Sequence, residues 1–226
     1  MLLTADRQTF TERALRCFLA QTYFSRRLFI LDNGVKPFEL PAWGCSPLVN
    51  YVHLRRTNET MGHLRNLACQ LIGDRADIIA HWDSDDWNHP ERLAVQVNVL
   101  ETNGAGATGF HNLLFLDSRQ GRAWEYDHKR TDRVLGTSLM YRRSRWQAFP
   151  FDEHKPVGED TDWHKRVPVL GTNGVTGTLE PLLIAEVHGG NTSGVYTVFD
   201  RHMPAEQPEW RRAPEWDDFC KKRLYP

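Results

Sequence analysis

The stretch Ile78-Ile79-Ala80-His81-Trp82-Asp83-Ser84-Asp85-Asp86-Trp87 joins a short apolar run to three crowded carboxylates. The run reads as a buried strand. The carboxylates therefore fall at its carboxyl end, the edge at which open α/β sheets keep their ligands. Like charges at this spacing repel and raise one another's pKa unless a cation joins them. Hard oxygen donors suit magnesium, manganese or calcium rather than zinc. An ion held by one or two carboxylates keeps its other positions for water and substrate phosphates. The expectation is a metal-diphosphate site with Mn2+ or Mg2+ as its cofactor. A solvated turn is the competing reading, because Asp and Asn are ordinary loop and cap residues. A calcium EF-hand does not fit: Trp87 stands at the fifth loop position, where an oxygen ligand belongs, and Asn88 at the sixth, where Gly is required.

Downstream, Asn88 is placed to cap a helix with Glu91 reaching back, Pro90 suits its first turn, and Leu93, Val97 and Leu100 fall on one face. Upstream, Met1-Leu2-Leu3 suggests a very short first strand, followed by a helix capped by Thr9 and Glu12. Leu28 to Leu31 is a second buried strand closed by the turn Asp32-Asn33-Gly34. Residues 35–48 are loop, and Tyr51 to Leu54 a third strand. Leu64, Leu67, Ala68, Leu71 and Ile72 line a helix that Gly73 stops. This alternation predicts an α/β fold: a mostly parallel central sheet with helices on both faces and right-handed crossovers. After residue 103 the pattern turns to a smaller mixed sheet. Phe110 to Leu116, Ala123 to Tyr126, Leu135 to Tyr141 and Leu179 to Val187 read as strands, and Asp160 to Val167 as a short helix. The parts are then 1–102, 103–195 and a tail, 196–226, whose short helix is expected to pack on the body. Gly104 to Gly109 matches a dinucleotide fingerprint by letter, but helix precedes and strand follows, the reverse of what a pyrophosphate site needs.

Composition narrows the class. The 226 residues suffice for one α/β domain, and the net charge of −1 with no basic stripe argues against nucleic acid as partner. Cys17, Cys45, Cys69 and Cys220 form no paired motif, which suits reduced thiols in a cytoplasmic protein. No apolar run nears the ~20 residues of a membrane span and no secretory leader is evident, so membrane contact would be peripheral.

The order Thr4-Ala5-Asp6-Arg7, Gln21-Thr22-Tyr23, Ile30 to Gly34, Gly62 to Asn66, Asp83 to Asp86, Gly136-Thr137-Ser138 and Gly158-Glu159-Asp160 resembles the inverting family-two nucleotide-sugar glycosyltransferases of the GT-A fold. The similarity spans about residues 1–195. It implies a nucleoside-diphosphate sugar donor, usually a uridine diphosphate one, and a glycan, lipid-linked or small-molecule acceptor. It also implies roles. Thr4, Asp6 and Arg7 line the nucleotide site, Asp32 accepts from the base, and Arg65 lies over the nucleotide. Asp83 sits near the ribose and metal, Asp85 ligates the metal on the diphosphate, and Asp86 stands behind it. Asp160 is the catalytic base, Glu159 positions the acceptor or its neighbours, and His188 touches the metal or diphosphate. Apart from the resemblance, Trp87, Trp124 and Trp163 are candidates to stack on a sugar face.

Each residue has a plainer alternative. Asp32 is also a turn residue; Arg65 can snorkel beside an apolar face; Glu159 and Asp160 suit a helix N-terminus. A lone His188 is often structural, and Trp163 belongs by default to a core. Asp6 stands where the family usually has Asn, and Asn33 where a second Asp is common, which bears on nucleotide preference more than on catalysis. Three rivals remain: a non-catalytic sugar-nucleotide or glycan-binding domain, a metal-dependent nucleotidyltransferase, and an aspartyl-phosphate phosphohydrolase. The second lacks its Gly-rich loop in Thr4-Ala5-Asp6-Arg7-Gln8 and would release pyrophosphate. The third has Trp87 two positions after Asp85 and no partner lysine motif.

Overall fold

The computed structural model describes residues 1–55, 58–128, 130, 132–176, 180–191 and 207–225. Strands β1 (Leu2–Thr4), β2 (Leu28–Asp32) and β3 (Val49–His53) form a parallel sheet in that order. The Met1 ammonium donates to Ala80 O at 2.8 Å and Trp82 N–H to Met1 O at 2.9 Å, which ties β1 to β4 (Ile78–Ala80).

The second sheet is built on the 11-residue β6 (Ala107–Asp117). Its first residues pair β8 (Met140–Arg142) antiparallel and β9 (Leu170–Asn173) parallel. Its later residues pair β7 (Arg122–Asp127) antiparallel and β10 (Leu183–Val187) parallel. β4 joins through β8, and the two-residue β5 (Trp87–Asn88) pairs β10 antiparallel. β11 (Trp210–Arg212) closes the edge on β7. The division into a parallel and a mixed sheet is as expected, with one correction. Among the described residues the mixed sheet, with eight strands, is the larger one, because β6 is long enough to carry four partners along its length.

Helices cover both faces. The alternation of β2 sends Leu28 and Ile30 into a core with α1 (Gln8–Leu19) and α3 (Arg92–Thr102). It sends Phe29 and Leu31 into another with α2 (Met61–Ile72) and α5 (Glu159–Arg166). Between them, α4 (Arg143–Ala148) follows β8 directly. The final helix α6 (Asp217–Leu224) seats Cys220 and Leu224 in the first core, as expected for the tail. Cys17, Cys69 and Cys220 are buried thiols and Cys45 is exposed.

Several local expectations are corrected. Neither proposed cap forms. α1 starts at Gln8, which donates to Glu12 at 2.7 Å, while Asn88 lies in β5 and accepts from Arg92 instead. Residues 136–138 form a single 3-10 turn rather than strand, held where Ser138 Oγ bonds Leu135 O and Phe110 N, both at 2.7 Å. The polar α4 and the strands β9 and β11 were unanticipated, having too few apolar positions to show a period. Leu179, at the start of one predicted strand, and residues 196–206 of the tail lie outside the described residues. No helix among the described residues is long and apolar enough to cross a membrane.

Candidate active site

The carboxyl ends of β1 and β4, the 134–137 turn, the start of α5 and the end of β10 surround a cleft of ≈ 740 Å³. A cavity of ≈ 1000 Å³ lies at the opposite ends of β2 and β4, lined by Leu28, Asp77 and Ile78. Sheet architecture favours the former for chemistry. The 740 Å³ cleft brings together Thr4, Arg7, Arg65, Asp83, Asp85, Glu159 and Asp160 from among the expected site residues.

Asp85 is at the centre. Its Oδ2 accepts from Arg7 Nη1 at 2.8 Å, His188 Nε2 at 3.1 Å and Asn191 Nδ2 at 3.5 Å. Burial alone would raise its pKa. The hydrogen bond from His188 and the Arg7 charge outweigh burial and lower it. Asp86 behaves oppositely. It is 4% exposed, accepts from Thr137 Oγ1 and from Glu186 N–H at 3.3 Å, and is pushed well up by burial and by the neighbouring Asp85 and Asp83 charges. Asp83 is also raised, chiefly by burial, against the pull of Arg65.

The frame beneath these acids is polar and buried. Arg92, fully buried, donates to His81 O and Thr137 O at 3.0 Å and to Gln96 Oε1 at 3.1 Å, tying β4, the 136–138 turn and α3 together. Burial lowers its pKa to about 10. Arg13 donates to Asp85 O and pairs with Glu186 Oε2 at 2.6 Å, and Tyr225 OH reaches Glu186 Oε1 at 2.7 Å. The tail is thus wired to the underside of the acidic turn. Sequence reading missed Arg92, Glu186, Asn191 and Arg13 as parts of the site; no short motif singles them out.

On the other side Gly158, at φ 78°, turns the chain into α5, whose first turn holds Glu159 and Asp160. Asp160 is half-buried and lines the cleft. It packs so closely on the 136–138 turn that a Cβ at Gly136 would fall inside its carboxylate. Gly136→Ala should therefore displace Asp160 and cut activity on the order of 10²-fold, the cost of a small misplacement of a reacting group. On an Asp160→Asn background the same change should add little; steady-state rates of the four proteins check this.

Other expected residues lie outside the cleft lining. Asp32 is 1% exposed and accepts from Gly34 N–H at 2.9 Å, Phe38 N–H at 2.7 Å and Tyr51 OH at 2.8 Å, so its carboxylate organises its own loop. Asp6, at φ 54°, accepts from Val35 N–H at 3.1 Å and Lys36 N–H at 3.0 Å, holding that loop from the other side. Trp163 is a core residue: fully buried, stacked on Phe151 at 5.6 Å, its indole donating to Phe149 O at 2.6 Å. The expected sugar-stacking role does not match that position. The aromatic surface in the cleft comes instead from Phe115, Tyr126 and Trp210, packed on one another at 4.8–6.3 Å between ring centroids.

His164, one turn after Asp160, carries a buried Nε2 without a partner among the described residues. Burial lowers its pKa to about 4 despite the Asp160 charge, and burial also lowers His128 and His81. At His164 the unfolded state binds more protons than the folded one between about 6.5 and 4, so this residue's share of stability is lost as pH falls through that window, while the raised Asp86 and Asp83 carboxyls contribute with the opposite sign. Urea unfolding from pH 7 to 5 isolates this share as the difference in slope between wild type and His164→Gln, the variant lacking the His164 loss; an unaltered slope would remove His164 from the account.

As a donor set for an ion, Asp85 Oδ2 and His188 Nε2 offer a carboxylate and an imidazole 3.1 Å apart. Among the described residues no group of three His, Cys, Asp or Glu is placed to cage a metal. The pair fits the kind of divalent site that leaves most positions to phosphate and water.

The parallel strands, the mixed sheet built on β6 and the helices on both faces form a GT-A-like α/β domain. No protein-family model and no curated protein sequence matches the chain. Among solved structures it resembles Staphylococcus aureus TarS 1-349 in complex with UDP, with TM-score 0.62 and 14% identity, covering 96% of this chain and 67% of that one. The complex with UDP-GlcNAc gives TM-score 0.62, 13% identity and 96% and 68% coverage. Against a longer TarS crystal structure from the same organism the TM-score is 0.61 at 13% identity, covering 96% of this chain and 41% of that one. At this identity the likeness establishes the fold.

Proposed function

We propose that this chain is a glycosyltransferase that moves a sugar from a nucleoside-diphosphate sugar, with uridine diphosphate as the first nucleotide to test, to an acceptor hydroxyl with inversion. The observation that carries the reading is one cleft holding a cation-paired carboxylate, Asp85, and a separate carboxylate, Asp160, on another element. The likeness to TarS, crystallised with UDP and with UDP-GlcNAc, supports a nucleotide-sugar donor.

Asp85 and His188 would hold a divalent ion, Mn2+ or Mg2+, whose bound charge offsets the negative charge gained by the leaving diphosphate. Arg7 and Arg65 add fixed positive charge along the same wall. Asp160 accepts the acceptor hydroxyl's proton at a carboxylate oxygen as that hydroxyl attacks the anomeric carbon opposite the leaving group. A single displacement inverts that carbon without a covalent enzyme intermediate. Phe115, Tyr126 and Trp210 offer apolar ring surface to whatever carries the hydroxyl.

A thermal-shift screen of nucleoside diphosphates with and without Mn2+ tests the donor half. A true donor nucleotide at a hundredfold excess over its Kd should stabilise the fold by roughly 2.7 kcal/mol. Stabilisation by none of them would sink the reading. Binding of a nucleotide sugar without hydrolysis or transfer would favour a non-catalytic binding domain.

A further inference from the structure

Arg7 stands in an unusual relation to the carboxylate assigned to the ion. Its Nη1 lies 2.8 Å from Asp85 Oδ2 and 3.5 Å from Ser84 Oγ, and its Nη2 donates to Gly190 O. The same Asp85 oxygen takes His188 Nε2 and Asn191 Nδ2, so one oxygen serves three donors.

The proton on His188 is placed by its neighbours. Gly190 N–H donates to His188 Nδ1 at 3.0 Å, so Nδ1 presents its lone pair and the neutral ring carries its proton on Nε2. That proton points at Asp85. A nitrogen can ligate a metal only through a free lone pair, so Nε2 can join an ion only once its proton has left it, either to solvent or to Nδ1 with the Gly190 N–H contact given up. Phe10, stacked on the imidazole at 4.7 Å and 20°, and the 188–191 turn hold the ring in place. Both protein groups that would grip an ion are thus engaged by hydrogen bonds centred on the Arg7–Asp85 pair.

We infer that Arg7 is the resident counter-cation of Asp85, and that it yields this carboxylate to a divalent ion only when a diphosphate arrives to receive its guanidinium. The inference rests on the proposed donor class. The chemistry favours an exchange of partners over simple addition. A divalent ion entering beside the guanidinium meets a like charge within a few ångströms in a half-buried site, where repulsion is poorly screened. Moving Arg7 away with no new anion strands a cation that is only 24% exposed at its side chain. A diphosphate removes both difficulties, since its oxygens match the planar guanidinium fork and complete the ion's coordination. Arg7 sits at the N-cap of α1, at the end of the short link from β1, and reaches across the sheet edge to the acidic turn and to Gly190. A single side chain therefore senses whether the diphosphate position is filled. The consequence is coupled uptake: ion and nucleotide each bind weakly alone and tightly together.

Mn2+ binding followed by electron paramagnetic resonance tests this on the full chain, with and without UDP, using Asp85→Asn to subtract Mn2+ held by the nucleotide alone. The expected result is at least tenfold tighter Mn2+ binding to the wild type when UDP is present. Arg7→Met should bind Mn2+ without UDP at least tenfold more tightly than the wild type, and the benefit from UDP should shrink. If Arg7→Met does not fold, Arg7→Gln keeps a hydrogen bond without the charge and should move in the same direction. Equal Mn2+ affinity of the wild type with and without UDP would overturn the inference, as would an Arg7 variant that binds Mn2+ no better. UDP binding measured in the presence of EDTA separates the two levels. If UDP binds and Mn2+ changes nothing, this inference fails while the donor reading stands; if no nucleoside diphosphate binds under either condition, the donor reading fails first.

Discussion

Asp160→Asn is expected to lower turnover by about 10²–10⁴-fold, the range lost when a positioned general base is removed, while UDP affinity stays at the wild-type value. The prediction follows from where the carboxylate sits. It lines the cleft from the first turn of α5, on a different element from the Asp85 turn. Asn keeps the shape and can still accept the 2.6 Å bond from Thr161 N–H, so the helix start should survive. The lost charge at a helix N-terminus costs only about 0.3–1 kcal/mol. Calorimetric titration with UDP and steady-state transfer or donor-hydrolysis rates give the two readouts. Unchanged turnover would remove Asp160 as the base; lost UDP binding would mean that the residue serves the donor instead.

The fold was legible wherever burial imposed a period. β2 is buried at all five positions and reads from its sequence alone. The apolar face of α2 and the strand running into Asp83-Ser84-Asp85-Asp86 are equally plain. Asp83, Asp85 and Asp86 line the cleft beyond the end of that strand, although their residue types alone suited a solvated turn equally well. Side-chain direction was not legible. Asp32 ends β2 and Asp85 lies beyond the end of β4, yet one bonds its own loop and the other faces Arg7 and His188. Only the path of residues 33–38 distinguishes them, and no local pattern encodes that path. Trp163 went to the core because α5 needs an apolar anchor against Tyr141 and Phe151. The aromatic wall was hidden for a different reason. Trp210 lies about 84 residues along the chain from its partner Tyr126, and long-range pairing of β11 with β7 leaves no short-range trace.

Arg65→Ala should cost about 3–5 kcal/mol of folding stability, the penalty for leaving one member of a buried ion pair without the other. Arg65 on α2 and Glu159 on α5 are each 5% exposed, with Nε and Oε1 2.8 Å apart. Burial opposes the Arg65 charge, and Glu159, Asp83 and Asp160 together more than restore it, raising its pKa. Removing the guanidinium strands Glu159 in the interior and leaves Asp83 and Asp160 without their shared cation. The loss would consume much of the roughly 5–15 kcal/mol that a domain has. A charge-free pair separates the structural from the electrostatic share. Arg65→Met with Glu159→Leu replaces the ion pair by packing and should recover most of the stability, because apolar contact still joins α2 to α5. It should not recover donor affinity, since the positive charge beside Asp83 is gone. Urea unfolding and UDP titration of wild type, single and double variants supply the comparison. A single variant within about 1 kcal/mol of wild type, the range of an exposed pair, would show that this clamp is not buried as described. A double variant that regained both stability and UDP binding would reduce Arg65 to a strut between two helices.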